Sequence, residues 1–170
     1  MNSIIKYLIL LTLILLVYSC KDENLMIEKT PYTGNELRID GYYYNSPEYN
    51  KTHVLFFYRN GVMIDFISYF STTDLTIVDE GIAEMYEQWK DNKLVWSVFL
   101  IDCKSIQYSG WSTSVGGGRP SGKCVGTIIS DTTFCITKSV NSDGREFKKN
   151  DTYHFRQFAP KPDSTNKFIK

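Results

Sequence analysis

The run Gly117-Gly118-Arg119-Pro120-Ser121-Gly122-Lys123-Cys124 comes closest to a chemical motif in this chain of 170 residues. It follows the phosphate-cradling pattern G-x-x-x-x-G-K-[ST] up to its last place. There the hydroxyl that would hold Mg²⁺ is replaced by the soft thiol of Cys124. The pattern also needs a helix N-terminus behind it, whereas residues 125–129 read as strand, so a flexible hairpin loop over 116–122 is the better reading. Gly122-Lys123-Cys124-Val125-Gly126 has the spacing of a nucleophile elbow with Cys in place of Ser. An elbow sits between strand and helix with a base in reach, and both histidines, His53 and His154, fall in predicted strands. A pair between Cys124 or Cys135 and His154 is the one cysteine arrangement left open, and a hydrolase reading rests on it or on a pair of carboxylates. The spacing of Cys103, Cys124 and Cys135 matches no metal or redox pattern, so one disulfide or three buried thiols both remain open.

Aromatic side chains are the other chemically loaded feature: 12 Tyr, 10 Phe and 3 Trp make up 15% of the chain. The Tyr42-Tyr43-Tyr44 run with Tyr49, Trp96, Tyr108 and Trp111 is a candidate stacking platform for a glycan or other flat ligand. Tyr42, Tyr44, Trp96, Tyr108 and Trp111 are the candidate ligand-facing set. The competing reading is that these rings fill the core. Lys+Arg and Asp+Glu number 19 each, so the chain lacks the basic excess of a nucleic-acid binder. Glu80, Glu84 and Glu87 read as a solvated helix face, not a cation site. No metal or cofactor is expected.

Residues 1–20, MNSIIKYLILLTLILLVYSC, carry one cation, Lys6, and then an apolar stretch over 7–17 interrupted only by Thr12. A cationic start, an apolar stretch of about 7–15 residues and a small residue before the cut are the parts of a secretory signal. The stretch is shorter than the roughly 20 residues that a spanning helix needs. Val17-Tyr18-Ser19-Cys20 resembles the lipobox of bacterial lipoproteins. That resemblance implies removal of residues 1–19, acylation of Cys20 by chains such as palmitate, and membrane attachment, which two or three chains secure where one is marginal. In Gram-negative lipoproteins an Asp directly after the Cys resembles an inner-membrane retention signal; here that place is Lys21. Lys21-Asp22-Glu23 is similar to the acidic export signals that send some such lipoproteins to the outer face of the outer membrane. The expected localisation is therefore the outer membrane, lipid-anchored, with cell-surface exposure left open. Asp131-Thr132-Thr133 and Asp163-Ser164-Thr165 are similar to O-glycosylation sites of some Gram-negative envelope proteins.

Processing would leave 151 residues with a net charge of −1, since Lys6 departs. Residues 20–36 read as the lipidated Cys and a flexible tether, because Pro31 and Gly34 interrupt a segment without apolar period; it spans at most about 50 Å when extended. Residues 37–160 form one β-rich domain, and 161–170 a tail.

Within the domain, period-2 alternation and turn residues predict eight strands, over 37–44, 53–59, 62–70, 94–101, 105–111, 124–130, 132–138 and 152–158. Asn60-Gly61 predicts a two-residue hairpin turn, setting Tyr58 opposite Met63, Phe57 opposite Ile64, Phe56 opposite Asp65 and Leu55 opposite Phe66. Both faces of that hairpin are then largely apolar, with Asp65 the polar exception. Ile82, Met85, Tyr86 and Trp89 at i, i+3, i+4 and i+7 predict one amphipathic helix over 79–91 to cover it.

The fold class is mainly β (α+β): a single up-and-down antiparallel meander or small barrel with one inserted helix, for which the lipocalin barrel is the nearest analogy. The function expected is that of a lipid-anchored envelope protein whose domain binds a partner protein or a small apolar or glycan ligand. An assembly accessory without a ligand pocket is the alternative.

Overall fold

The computed structural model describes residues 22–45, 52–68, 74–113 and 118–170; Cys20, Lys21 and Tyr49 lie outside them. Eight strands close into one antiparallel barrel: β1 (Gly41–Asn45), β2 (Thr52–Phe57), β3 (Val62–Ser68), β4 (Trp96–Asp102), β5 (Ser105–Trp111), β6 (Ser121–Ser130), β7 (Thr133–Asn141) and β8 (Glu146–Gln157). Each pairs with its neighbour in sequence, and β8 returns to β1 with Tyr43 opposite Phe155 and Tyr44 opposite His154. Closure leaves no unpaired edge, which a meander of this length would otherwise expose. One helix, α1 (Leu75–Trp89), is inserted between β3 and β4. The turns at Tyr58–Gly61, Cys103–Lys104 and Asp131–Thr132 share one end of the barrel, called lower below. At the opposite end, called upper, β1, β3, β5 and β7 finish and β2, β4, β6 and β8 begin.

The β2–β3 hairpin corrects the predicted register. Phe57 lies opposite Met63, Phe56 opposite Ile64 and Leu55 opposite Asp65. The Gly61 amide donates to Tyr58 O at 3.0 Å, the Tyr58 amide donates to Val62 O at 3.0 Å, and Gly61 has φ 81°. The loop therefore has three residues and ends on a left-handed glycine, the form next most common after the two-residue turn. Glycine is required twice over, because a Cβ there would sit 2.2 Å from Thr30 O. One residue of slip turns every β3 side chain to the other face. Met63 and Asp65 consequently point into the barrel beside Leu55 and Phe57, and Ile64 and Phe66 point outward.

Two cores result. The inner one fills the lower half of the barrel with Tyr43, Phe57, Phe99 and Phe134, all at most 1% exposed. Their rings meet edge-on or tilted, with centroids 4.9 Å apart for Phe57–Phe99 and 5.1 Å for Tyr43–Phe134, arrangements that favour the ring quadrupoles. Where β6 and β7 shift register, the backbones close in so far that a Cβ on Gly126 would lie 2.2 Å from Cys135 O. Tyr32, Leu37 and Ile39 close the lower end. The Leu37 amide donates to the Tyr32 hydroxyl at 2.9 Å, and the Tyr43 hydroxyl donates to Asp131 O at 2.7 Å.

The outer core lies between the wall and α1. Val78, Ile82 and Met85 pack on Val54, Phe56, Ile64 and Phe66, with Tyr42 and Trp96 fully enclosed. The helix starts about a turn earlier than its apolar stripe predicts, because Asp74 caps it by accepting from the Thr76 amide at 2.9 Å. Trp89, predicted to lie in the stripe, is 40% exposed at the helix end. Asp79 ties α1 to the wall: it accepts from the Tyr42 hydroxyl at 2.8 Å and from Arg156 Nε at 3.0 Å. Asp79→Ala is expected to cost about 1.5–3 kcal/mol, the range for hydrogen bonds to charged groups. In urea denaturation Arg156→Ala should add little to that loss; strictly additive losses would show that the pair does not act as a unit.

Both segments expected to be free are laid against the barrel. Residues 22–32 run along its wall: the Glu23 amide donates to Arg119 O at 3.1 Å, the Met26 amide to Ser109 Oγ at 2.9 Å and the Tyr32 amide to Arg59 O at 2.9 Å. In the expected tail, Phe168 and Ile169 join the outer core. Lys161 donates to Ile39 O at 2.7 Å and to Phe57 O at 2.6 Å, and burial pulls its ammonium down to about 8. Single side-chain contacts of this kind leave no periodic trace in a sequence.

Candidate functional site: an acidic niche in the upper barrel

Strand alternation decides what fills the upper half. With Leu55, Met63, Phe99, Ile106 and Ile128 inward, the same parity turns His53, Asp65, Ser97, Tyr108, Gly110, Gly122 and Cys124 inward above them, with Tyr153 from β8. Four of these eight positions are small, whereas the lower layer is almost entirely aromatic or large aliphatic. A Cβ added to Gly122 would meet only Val140 O, at an ordinary 3.6 Å, whereas one on Gly110 would lie 2.3 Å from Ser97 Oγ, so the room is on the Gly122 side. The barrel is thus packed below and roomier above. In keeping with that, the inward-pointing side chains of His53 and Asp65 keep 31% and 29% of their surface exposed.

Asp65 is the electrostatic centre of the niche. Its Oδ1 is sealed from solvent and has no hydrogen-bond partner. His53 Nδ1 stands 3.9 Å away, an ion-pair distance and too long for a hydrogen bond. Burial pushes the Asp65 carboxyl above the usual carboxylate range, and the charge of His53 opposes that only in part. Facing it across the interior stand Tyr108, Cys124 and Tyr153, and burial raises all three groups. A buried protonated thiol is a poor nucleophile.

The candidate ligand-facing aromatics are separated by this arrangement. Tyr108 points into the barrel. Tyr42 and Trp96 belong to the outer core; the Trp96 indole donates to Lys90 O at 2.8 Å. Tyr44 packs against His154 on the outer surface, ring centroids 6.1 Å apart. Trp111 lies under the N-terminal strand of chain, donating to Glu23 O at 2.7 Å with Lys93 Nζ 4.0 Å from its ring centroid. Of the expected export residues, Asp22 pairs with Lys93 at 2.9 Å and Arg119 at 3.5 Å, and Glu23 Oε2 accepts the Ser121 amide at 2.8 Å.

The sequence motifs do not assemble. Ser121–Ser130 is a strand, so no helix N-terminus follows Gly122 to cradle a phosphate. Cys124 faces inward and His154 outward, which puts the barrel wall between them; Cys135 shares the outer face with His154 but lies opposite Thr152 while His154 lies opposite Thr133, and its Sγ contacts Asn150 Oδ1 at 3.7 Å. Cys103, Cys124 and Cys135 are free thiols, and β6 and β7 set Cys124 opposite Ser139 and Cys135 opposite Thr127. Among the described residues no cluster of three or more His, Cys, Asp or Glu side chains has metal-holding geometry. Sequence reasoning missed His53, Asp65 and Tyr153. Asp65 did carry a signal, as the one charged residue in an otherwise apolar hairpin.

Comparison with known proteins finds no matching family model, no matching curated protein and no matching solved structure.

Proposed function

We propose that this chain is a lipid-anchored envelope protein of the outer membrane whose barrel takes a small ligand into its upper half. The observation that carries the binding reading is Asp65: an acceptor oxygen sealed in a barrel interior, without a donor, beside small side chains. Leaving such a group unmade costs about 1–3 kcal/mol, more for a charge, which a ligand that supplies the donor would offset. A protein whose interior served packing alone would fill that level with apolar side chains, as the layer beneath it does.

The anchoring reading rests on the lipobox-like Val17-Tyr18-Ser19-Cys20 and the apolar stretch before it. Asp22 and Glu23 are bound at the upper rim, so an acyl group on Cys20 would hold that rim close to the bilayer, without a long tether between them.

Two measurements on the full chain expressed in a Gram-negative host test the two halves. Wild-type protein is expected to enter the detergent phase on phase separation and to incorporate labelled palmitate, and Cys20→Ser to do neither; an unlabelled, water-soluble wild type overturns the anchor. Thermal melting against a panel of small apolar acids, alcohols, amines and glycans is expected to yield at least one stabiliser. A panel with no stabiliser overturns the binding reading.

A further inference from the structure

We propose that the upper barrel binds a small organic cation, an apolar primary amine whose ammonium pairs with Asp65 and whose body lies against Tyr108 and Tyr153. This deepens the ligand-binding reading above and rests on it.

The sign of the ligand's charge follows from what surrounds Asp65. Its own neighbours in the niche are His53 on β2, Tyr108 on β5, Cys124 on β6 and Tyr153 on β8. None of these side chains donates to Oδ1, and His53 stands too far away to donate. Above Tyr153, β8 sets a second carboxylate, Asp151, opposite the inward Ile136, and the Lys149 ammonium lies 3.9 Å from it. Oδ1 therefore lacks a donor that no described side chain supplies. An anionic ligand would face an uncompensated carboxyl, and a neutral alcohol would satisfy the oxygen without supplying the charge that favours its ionised form.

The ligand's shape follows from the walls. Phe57, Phe99 and Phe134 block the barrel beneath, so the bound molecule is short. Gly122 leaves room for a narrow apolar body, Ser97 lies over Gly110 on the facing wall, and the buried Tyr153 and Tyr108 rings give it aromatic faces. A metal ion is a poorer fit, because one carboxylate and one imidazole fall short of the ligand sets that hold Zn²⁺ or Ca²⁺.

Binding couples to a proton. In the empty barrel burial holds the Asp65 carboxyl toward its neutral form. An ammonium 3 Å or so away favours the ionised form, so uptake of the cation releases the carboxyl proton to solvent.

The test uses full-length protein in detergent, with phenethylamine, phenethyl alcohol and 3-phenylpropionate as matched probes of one shape and three charges. Thermal melting and isothermal titration calorimetry are expected to show phenethylamine binding at least about tenfold more tightly than the alcohol. Calorimetry in buffers of different ionisation heat is expected to show proton release. Asp65→Asn should lose the preference for the amine while still melting cooperatively. Gly122→Leu, which fills the niche without touching its charge, should weaken both amine and alcohol. Equal affinity for amine and alcohol, or amine binding unchanged in both variants, overturns the proposal. Binding of the alcohol or the acid alone overturns the cation but leaves the ligand-binding reading standing. No binding by any probe overturns the cation, and the wider panel then decides the broader reading.

Discussion

Phe134→Ala is expected to lower stability by about 3–5 kcal/mol, the range for truncating a fully buried phenylalanine. Phe134 is completely enclosed; its ring stacks on Tyr153 at 4.9 Å with a 9° interplanar angle and meets Phe57 at 5.9 Å. It therefore joins the packed lower layer to the lining of the niche. Removing it leaves a cavity that the surrounding strands cannot close without breaking their ladders, so the loss is the transfer energy plus the cost of the void. For a domain of this size each kcal/mol moves the melting temperature by about 2–4 °C, so a fall of about 6–20 °C is expected in a thermal scan followed by circular dichroism. A fall of only a degree or two would mean that the lower barrel is not packed as described.

Asp65→Asn is expected to act in the opposite direction. The folded carboxyl titrates above its unfolded value, so between the two the native state holds a proton that the unfolded chain has lost. Wild-type stability from this group is whole below the unfolded pKa of about 3.9. It is lost as pH rises through the folded pKa. At pH 7 the asparagine variant should be more stable by about 1–3 kcal/mol, the cost of an unsatisfied buried group, and melt several degrees higher. That advantage should shrink as pH falls and disappear below about pH 4. The comparison has to be between variant and wild type. Several carboxyls, half-buried Asp22 and exposed Asp40 and Asp143 among them, are pulled down by their partners and bias the whole protein's stability the other way as pH falls. A variant less stable than wild type at pH 7, or an advantage that does not change with pH, would remove Asp65 from the position assigned to it, with one oxygen sealed and lacking a donor.

The stabilising direction is itself a functional argument. A carboxyl that costs stability where it stands is a common mark of a site, since side chains chosen only for folding would avoid it.

What the amino-acid sequence determined by itself was the list and order of elements. Eight strands and one helix were legible because side-chain direction repeats every two residues in a strand and every 3.6 in a helix. Asn, Asp, Gly and Pro mark the turns between them by local backbone preference. Both signals are carried by residues close together in the chain, so no partner is needed to read them, and the antiparallel order follows from the short connections. The same pattern suits an open meander and a closed barrel alike; pairing of β8 with β1, between residues more than a hundred positions apart, closes it.

Tertiary structure alone decided the site. Asn60-Gly61 suits a two-residue turn and a three-residue turn equally well, and the strands on either side are apolar on both faces, so the pattern could not choose between registers that differ by one residue. That single residue decides whether Asp65 lies under the helix or inside the barrel. The same holds for the aromatics: Tyr42 and Tyr43 are adjacent and chemically alike, yet one joins the outer core and the other the inner, because pleating sends neighbours to opposite sides of the wall. The docking of residues 22–32 and of the last ten residues depends on isolated hydrogen bonds to backbone oxygens and single ion pairs. Those partners are brought together only by the closed barrel.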